Sequence, residues 1–206
     1  MPLETRHSTV CASQEQLNEL VLSLMPSQGQ WSEDTYLWLT DRTTGFIELT
    51  DGYIEVLPMP TDEHQTILAY LYQALFAFLQ TMGGKVLFAP LRLRIREGKF
   101  REPDILLVCD AADPRRQNRF WRGADLVVEI VSPDKPERDL VDKRVDYAEA
   151  KIPEYWIVDP RDETIRVLRL EDEAYVEHGV FRRGERATSA LLEDFNLYVT
   201  DVFDAD

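Results

Sequence analysis

Two acidic residues stand at apolar runs of the kind that form buried strands. "PDILLVC" puts Asp104 at the head of one run, and "ADLVVEIVSP" sets Glu129 inside another. Side chains alternate along a strand. Asp104, Leu106 and Val108 therefore share one face, as do Asp125, Val127, Glu129 and Val131. If the two strands are neighbours, Asp104 and Glu129 converge. Burying two carboxylates is costly unless something pairs with them. Their proximity then raises one pKa or draws in a cation that holds both ionised. Magnesium (or manganese) suits such a pair, taking oxygen ligands, keeping several waters and often using one or two carboxylates. A third group follows in "PERDLVDKRVDYAEA", where Asp139, Lys143 and Tyr147 are spaced i, i+4, i+8 and share one helix face. Lys143 beside a metal-bound water would orient a nucleophile or stabilise charge at phosphorus. The same spacing also describes a solvated helix laced with pairs such as Lys143–Asp139 and Arg138–Asp142, and Tyr147 reads as packing.

These residues need elements to position them. "GFIELTDGYIEVLP" predicts a hairpin with Asp51-Gly52 as a two-residue turn. The register sets Thr50 against Tyr53, Leu49 against Ile54, Glu48 against Glu55 and Ile47 against Val56. One face is apolar. The other opposes two glutamates, which is destabilising, so a cation, a solvated face or an altered register must relieve them. "PTDEHQTILAYLYQALFAFLQTMGG" predicts a long helix capped by Thr61 or Asp62 and ended by Gly83-Gly84. Its stripe of Ile67, Leu68, Leu71, Leu75, Phe78, Leu79 and Met82 faces a core, with His64 pointing inward at the first turn. "WSEDTYLWL" reads as a short helix capped by Ser32. Strands are expected at about 86–96, 104–109 and 125–131, then a helix at about 137–150 and strands at 154–159, 164–171 and 174–181. Pro103 suits the first position of its strand, where a missing N–H is tolerated.

The chain has 206 residues, 44% hydrophobic and 30% charged, which fits one α/β domain over 31–206 with a peripheral arm over 1–30. No apolar stretch approaches the ~20 residues of a membrane span. The N-terminus lacks the pattern of a secretory signal. Cys11 and Cys109 are too few for a disulfide framework, so a reducing cytoplasm is the expected compartment. There is no Gly-rich phosphate loop and no Cys/His zinc pattern.

A net charge of −15 opposes tight, passive binding to nucleic acid. The charge is uneven: residues 85–122 hold 10 basic and 5 acidic side chains, net +5. Within them "DPRRQNRFWRGADL" interleaves Arg115, Arg116, Arg119 and Arg122 with Phe120 and Trp121. That composition suits a nucleic-acid backbone and an unstacked base. It equally suits a tryptophan capping the core and arginines paired with this chain's many acids. Arg92, Arg94 and Arg96 on one alternating face are a second candidate, against a charge-solvated edge strand.

The ordered set "FIELTDGYIEV", "PDILLV", "DLVVEIVSP", "DxxxKxxxY" and "IPEYWIVDP" resembles the Uma-two family of restriction-endonuclease-like proteins, within the PD-(D/E)XK phosphodiesterase superfamily. The resemblance covers roughly residues 31–200. It implies a restriction-endonuclease-like α/β core, a mixed β-sheet flanked by helices with an N-terminal β-hairpin. It also implies that Asp104 and Glu129 bind a divalent metal together with the backbone carbonyl of Ile130. The superfamily pattern places a lysine two residues after the acid; Val131 stands there, and Lys143 matches the family's displaced lysine. Glu48 matches the acid before the hairpin turn and His64 the histidine opening the long helix. The implied reaction is magnesium-dependent hydrolysis of DNA phosphodiester bonds, with a homodimer suited to cutting two strands. A catalytically silent nucleic-acid-binding or regulatory protein is the alternative, and RNA or a nucleotide the alternative substrate.

Overall fold

The computed structural model describes residues 13, 23–134 and 136–206. Most of the expected arm therefore lies outside the described residues. Helix α1 (Glu33–Thr40) opens as expected on Ser32, whose side chain accepts from the Thr35 N–H at 3.2 Å. Strands β1 (Ile47–Thr50) and β2 (Tyr53–Val56) pair in the register read from the sequence, Glu48 opposite Glu55 included. Asp51 and Gly52 both take positive φ, 49° and 86°, as a two-residue hairpin turn requires. Helix α2 (Asp62–Met82) starts on Thr61, which accepts from the His64 N–H, and ends on Gly83 in the left-handed region. Ile67, Leu68, Leu71, Leu75 and Leu79 of its stripe are buried, Phe78 is half-buried, and Met82 at the end of the helix is 50% exposed.

The expected strand at 86–96 is two strands in two sheets. Strand β3 (Lys85–Phe88) is an edge of the large sheet and β4 (Leu93–Arg96) an edge of the small one. The break spans Pro90, which has no N–H to give a ladder. Strand β5 (Lys99–Arg101) joins the small sheet, in the order β2-β1-β5-β4. The large sheet adds β6 (Ile105–Val108), β7 (Leu126–Ile130), β8 (Glu154–Asp159), β9 (Thr164–Glu171) and β10 (Ala174–Arg182), in the order β10-β9-β8-β7-β6-β3. Only the β7–β8 pairing is parallel, so this sheet is mixed. Strands β11 (Arg186–Thr188) and β12 (Asn196–Tyr198) form a small ribbon before a last helix, α4 (Val199–Phe203).

A parallel pair needs a crossover connection. Here it comprises a π-helical turn (Arg138–Asp142) running into helix α3 (Lys143–Glu149). The expected helix at 137–150 thus changes pitch midway, with the Lys143 N–H bonded to the Arg138 carbonyl five residues back. Two cores sandwich the large sheet. On one side Leu71, Leu75 and Leu79 of α2 meet Ile105, Leu107, Val128 and Trp156. On the other Tyr147 and Ala148 of α3 meet Leu106, Val108, Val127, Val131 and Tyr155. A third core joins Trp31, Tyr36 and Leu37 to Ile47, Leu49 and Phe100 of the small sheet.

Candidate active site

Strands β6 and β7 are antiparallel neighbours, with Ile105 opposite Val128 and Leu106 opposite Val127. Extending that register by one step sets Asp104 against Glu129. Asp104 lies just before β6 begins, in the bend after Pro103. Its Oδ2 accepts from the Ile130 N–H at 2.7 Å and lies 3.2 Å from His64 Nε2. Thr61 fixes the start of α2, which brings His64 over the end of the sheet. Burial works to lower the His64 pKa, but the Asp104 hydrogen bond and charge, with Glu129 and Asp139 behind them, raise it on balance. His64 Nδ1 is buried without a hydrogen-bond partner among the described residues.

Glu129 is almost wholly buried. Lys143 Nζ stands 2.8 Å from its Oε2 and 3.0 Å from Asp139 Oδ1, while the Tyr147 hydroxyl donates to its Oε1. Asp139, Lys143 and Tyr147 thus keep a common face through the change of pitch. Tyr147 does more than pack, since its hydroxyl closes one side of the carboxylate. Burial pushes the Glu129 carboxyl up; Lys143 opposes this, and Asp104 and Asp139 add to it. Lys143 itself stays charged: burial disfavours its ammonium, but Glu129, Asp139 and Glu48 outweigh that.

These groups open on a cavity of about 950 Å³, lined by His64, Asp104, Glu129, Asp139 and Lys143 among others. Asp104 and Glu129 supply the oxygen donors that could hold a hard cation. Asp104 Oδ1 carries no hydrogen bond among the described residues. Among those residues no group of three or more His, Cys, Asp or Glu side chains converges as a metal cage. Ile130 meets Asp104 through its N–H, not its carbonyl.

Glu48 is buried one step behind the cavity. Its Oε1 accepts from the Glu102 N–H at 3.1 Å, and Arg101 Nη1 lies 3.6 Å from its Oε2. Arg138 approaches Glu55, across the hairpin, at 3.7 Å. Arg101 and Arg138 therefore help relieve the opposed glutamates, Arg138 acting on Glu48 as well as on Glu55. Glu102, which sequence reasoning passed over, lines the cavity with Oε2 buried and unpartnered among the described residues. Burial pushes its carboxyl up to about 7, and Glu48 adds to the shift. Its place two residues before Asp104, in "REPD", was the available signal.

The basic loop lies away from the cavity. It joins Val108 to Leu126, at the opposite ends of β6 and β7 from Asp104 and Glu129. Trp121 is buried in the core and offers no free ring face for a base. Arg115 pairs with Asp113 and Asp125, Arg119 pairs with Asp41, and Arg116 bonds the Ala111 carbonyl. None of Arg115, Arg116, Arg119, Trp121 or Arg122 lines the cavity. The second candidate is likewise engaged: Arg92 by Asp41, Arg94 by Glu33, and Arg96 by Asp51 and Glu149.

The profile of the Uma2 family, described as "Putative restriction endonuclease", matches residues 33–200. The chain belongs to the Uma2 family. Uma2 membership makes it nuclease-like. It also agrees with a solved structure described as a putative nuclease from Anabaena variabilis. That structure has a TM-score of 0.68 at 21% identity and covers 84% of this chain and 97% of its own. At that identity the likeness speaks for the fold, which is restriction-endonuclease-like. No curated protein matches this Uma2 chain. Among the described residues no helix is long and apolar enough to cross a membrane.

Proposed function

We propose that this chain is a divalent-metal-dependent endonuclease that hydrolyses DNA phosphodiester bonds, with magnesium or manganese held by Asp104 and Glu129. The observation that carries this reading is the convergence, at one cavity, of two carboxylates from adjacent strands with a buried lysine 2.8 Å from one of them. The donor set fits a hard cation: it is all oxygen, Asp104 keeps an oxygen clear of hydrogen bonds, and one or two carboxylates suffice for magnesium. When bound, the cation supplies a water of lowered pKa and offsets charge on the phosphate. His64 and the Ile130 N–H hold Asp104 in place, and Tyr147 holds Glu129. An ammonium has three N–H donors. Lys143 is ion-paired with Glu129 and Asp139, and its ammonium faces the cavity, where it can meet the phosphate or the attacking water. In the reaction a water oxygen bonds to phosphorus as the bond to the leaving sugar oxygen breaks, and that oxygen ends protonated. Glu48 acts from behind, fixing the segment that leads into Asp104.

Calorimetric titration of manganese into wild type, Asp104→Ala and Glu129→Ala tests the metal site. Affinity is expected to fall in both variants, and equal affinity in all three removes the site. Plasmid nicking by wild type and Lys143→Ala tests the chemistry. One observation favours the alternative of a silent nucleic-acid-binding protein: both Glu129 oxygens are already engaged by Lys143 and Tyr147. Metal binding by wild type without cleavage of plasmid, single-stranded DNA or RNA would select that reading.

A further inference from the structure

The cavity is two-sided. One wall carries the ionised groups. The other is the segment Val56-Leu57-Pro58-Met59-Pro60 together with Phe88 from the edge strand. Apolar side chains here face solvent rather than core: Val56 is 68% exposed, Met59 73% and Phe88 46%. Phe88 is held edge-on by Tyr72 of α2, with ring centroids 4.9 Å apart. Arg138 stands on the charged wall. Among the described residues its guanidinium makes one ion-pair contact, Glu55 at the long distance of 3.7 Å, while Glu48, Asp139 and Glu129 act on its charge from further off. Its N–H donors are thus available to a further anion, whereas Arg161 is closed on Asp159 by two bonds of 2.8 and 2.6 Å.

A duplex is held through many phosphates along a basic track. No such track leads here: seven acidic side chains line the cavity against three basic ones, and Lys143 and Arg161 of those three are already paired. A single unpaired nucleotide has the opposite needs, one apolar surface for its base and one or two cations for its phosphate. Resting on the nuclease reading of this same cavity, we infer that the substrate is an unpaired strand, a free end, flap or loop. Its base packs against Pro58, Met59 and Phe88, and its phosphate meets Arg138. The chemistry is common to single-stranded DNA and RNA.

The test is fluorescence anisotropy with a short labelled DNA strand, the RNA of the same sequence and the matched DNA duplex, each with calcium and with chelator. Binding of at least one single strand about tenfold tighter than the duplex is expected, the factor that one stacked base supplies. Met59→Glu, at an exposed position, is expected to erase that preference, and Arg138→Gln to weaken strand binding. Duplex binding equal to or tighter than both single strands would overturn the inference. So would an unchanged strand preference in Met59→Glu. Failure of the metal titration would instead remove the hydrolase reading and leave the strand preference measurable in chelator.

Discussion

Lys143 reaches Glu129 from the crossover helix, Nζ to Oε2 at 2.8 Å, with both side chains almost wholly out of solvent. Two residues after Glu129 stands Val131, which packs in the core beneath α3. The charge is supplied from above the sheet instead of along it.

That pairing gives Lys143 a structural role. Removing one partner of a buried ion pair leaves the other uncompensated and costs roughly 3–5 kcal/mol. Lys143→Ala is expected to lose stability of that order in urea unfolding. Lys143→Met with Glu129→Gln is expected to lose less than the two single changes summed, because Glu129 is then uncharged and only Asp139 loses its partner.

Tyr147→Phe removes one donor from Glu129 while keeping the ring among Tyr155 and its neighbours. Leaving a buried acceptor short of a partner costs about 1–3 kcal/mol. Because the hydroxyl also orients the carboxylate, manganese affinity is expected to fall about 10–100-fold. Calorimetry reads that change, and a pure packing role would not produce it.

The raised Glu102 carboxyl predicts a pH dependence. Its pKa is about 7 in the folded chain, above the ordinary value of 4.5. As pH rises from about 4.5 to about 7 the unfolded chain releases this proton first. Glu102 therefore lowers stability across that window, and its cost is complete above it. The groups facing it are Glu48, Arg92 and Lys143. Glu102→Gln is expected to flatten this fall, with chemical denaturation at a series of pH values as the readout.

Gly52→Ala should weaken the hairpin that carries Glu48. An added Cβ would lie 2.6 Å from the Gly29 carbonyl oxygen, a backbone atom, at a residue with φ of 86°. Strain of this kind costs on the order of 1–3 kcal/mol. A lower melting temperature is expected, whereas Asp51→Asn, which tolerates positive φ, should be nearly neutral.

Much of this arrangement is legible from local patterns. The hairpin register, both helix caps and the shared face of Asp139, Lys143 and Tyr147 follow from spacing and turn chemistry. Convergence of Asp104 with Glu129 needed one long-range fact, that β6 and β7 are neighbours. What was not legible depends on long-range placement. Arginine-rich and aromatic composition in 113–122 suggested a binding loop, but composition does not say which ends of two strands a loop connects, or that Asp113, Asp125 and Asp41 lie within reach. Glu102 and Arg138 were hidden for the converse reason. Each sits beside a motif residue and becomes part of the cavity only when the hairpin, the sheet end and the crossover meet. The glutamate of "EYW" serves the fold: Glu154 accepts from the Ala190 and Leu191 N–H groups and from Ser189 and Trp156.

The wide turn at 138–142 has an evolutionary corollary. An α-helix advances about 100° per residue. Deleting Leu140 or Val141 would rewind the segment to ordinary pitch and set Asp139 three residues before Lys143, so that Asp139 could not keep its present geometry to Lys143, Ser132 and Tyr155 together. Exposed Val141 within that turn can change freely in kind. What selection must guard in this stretch is its length.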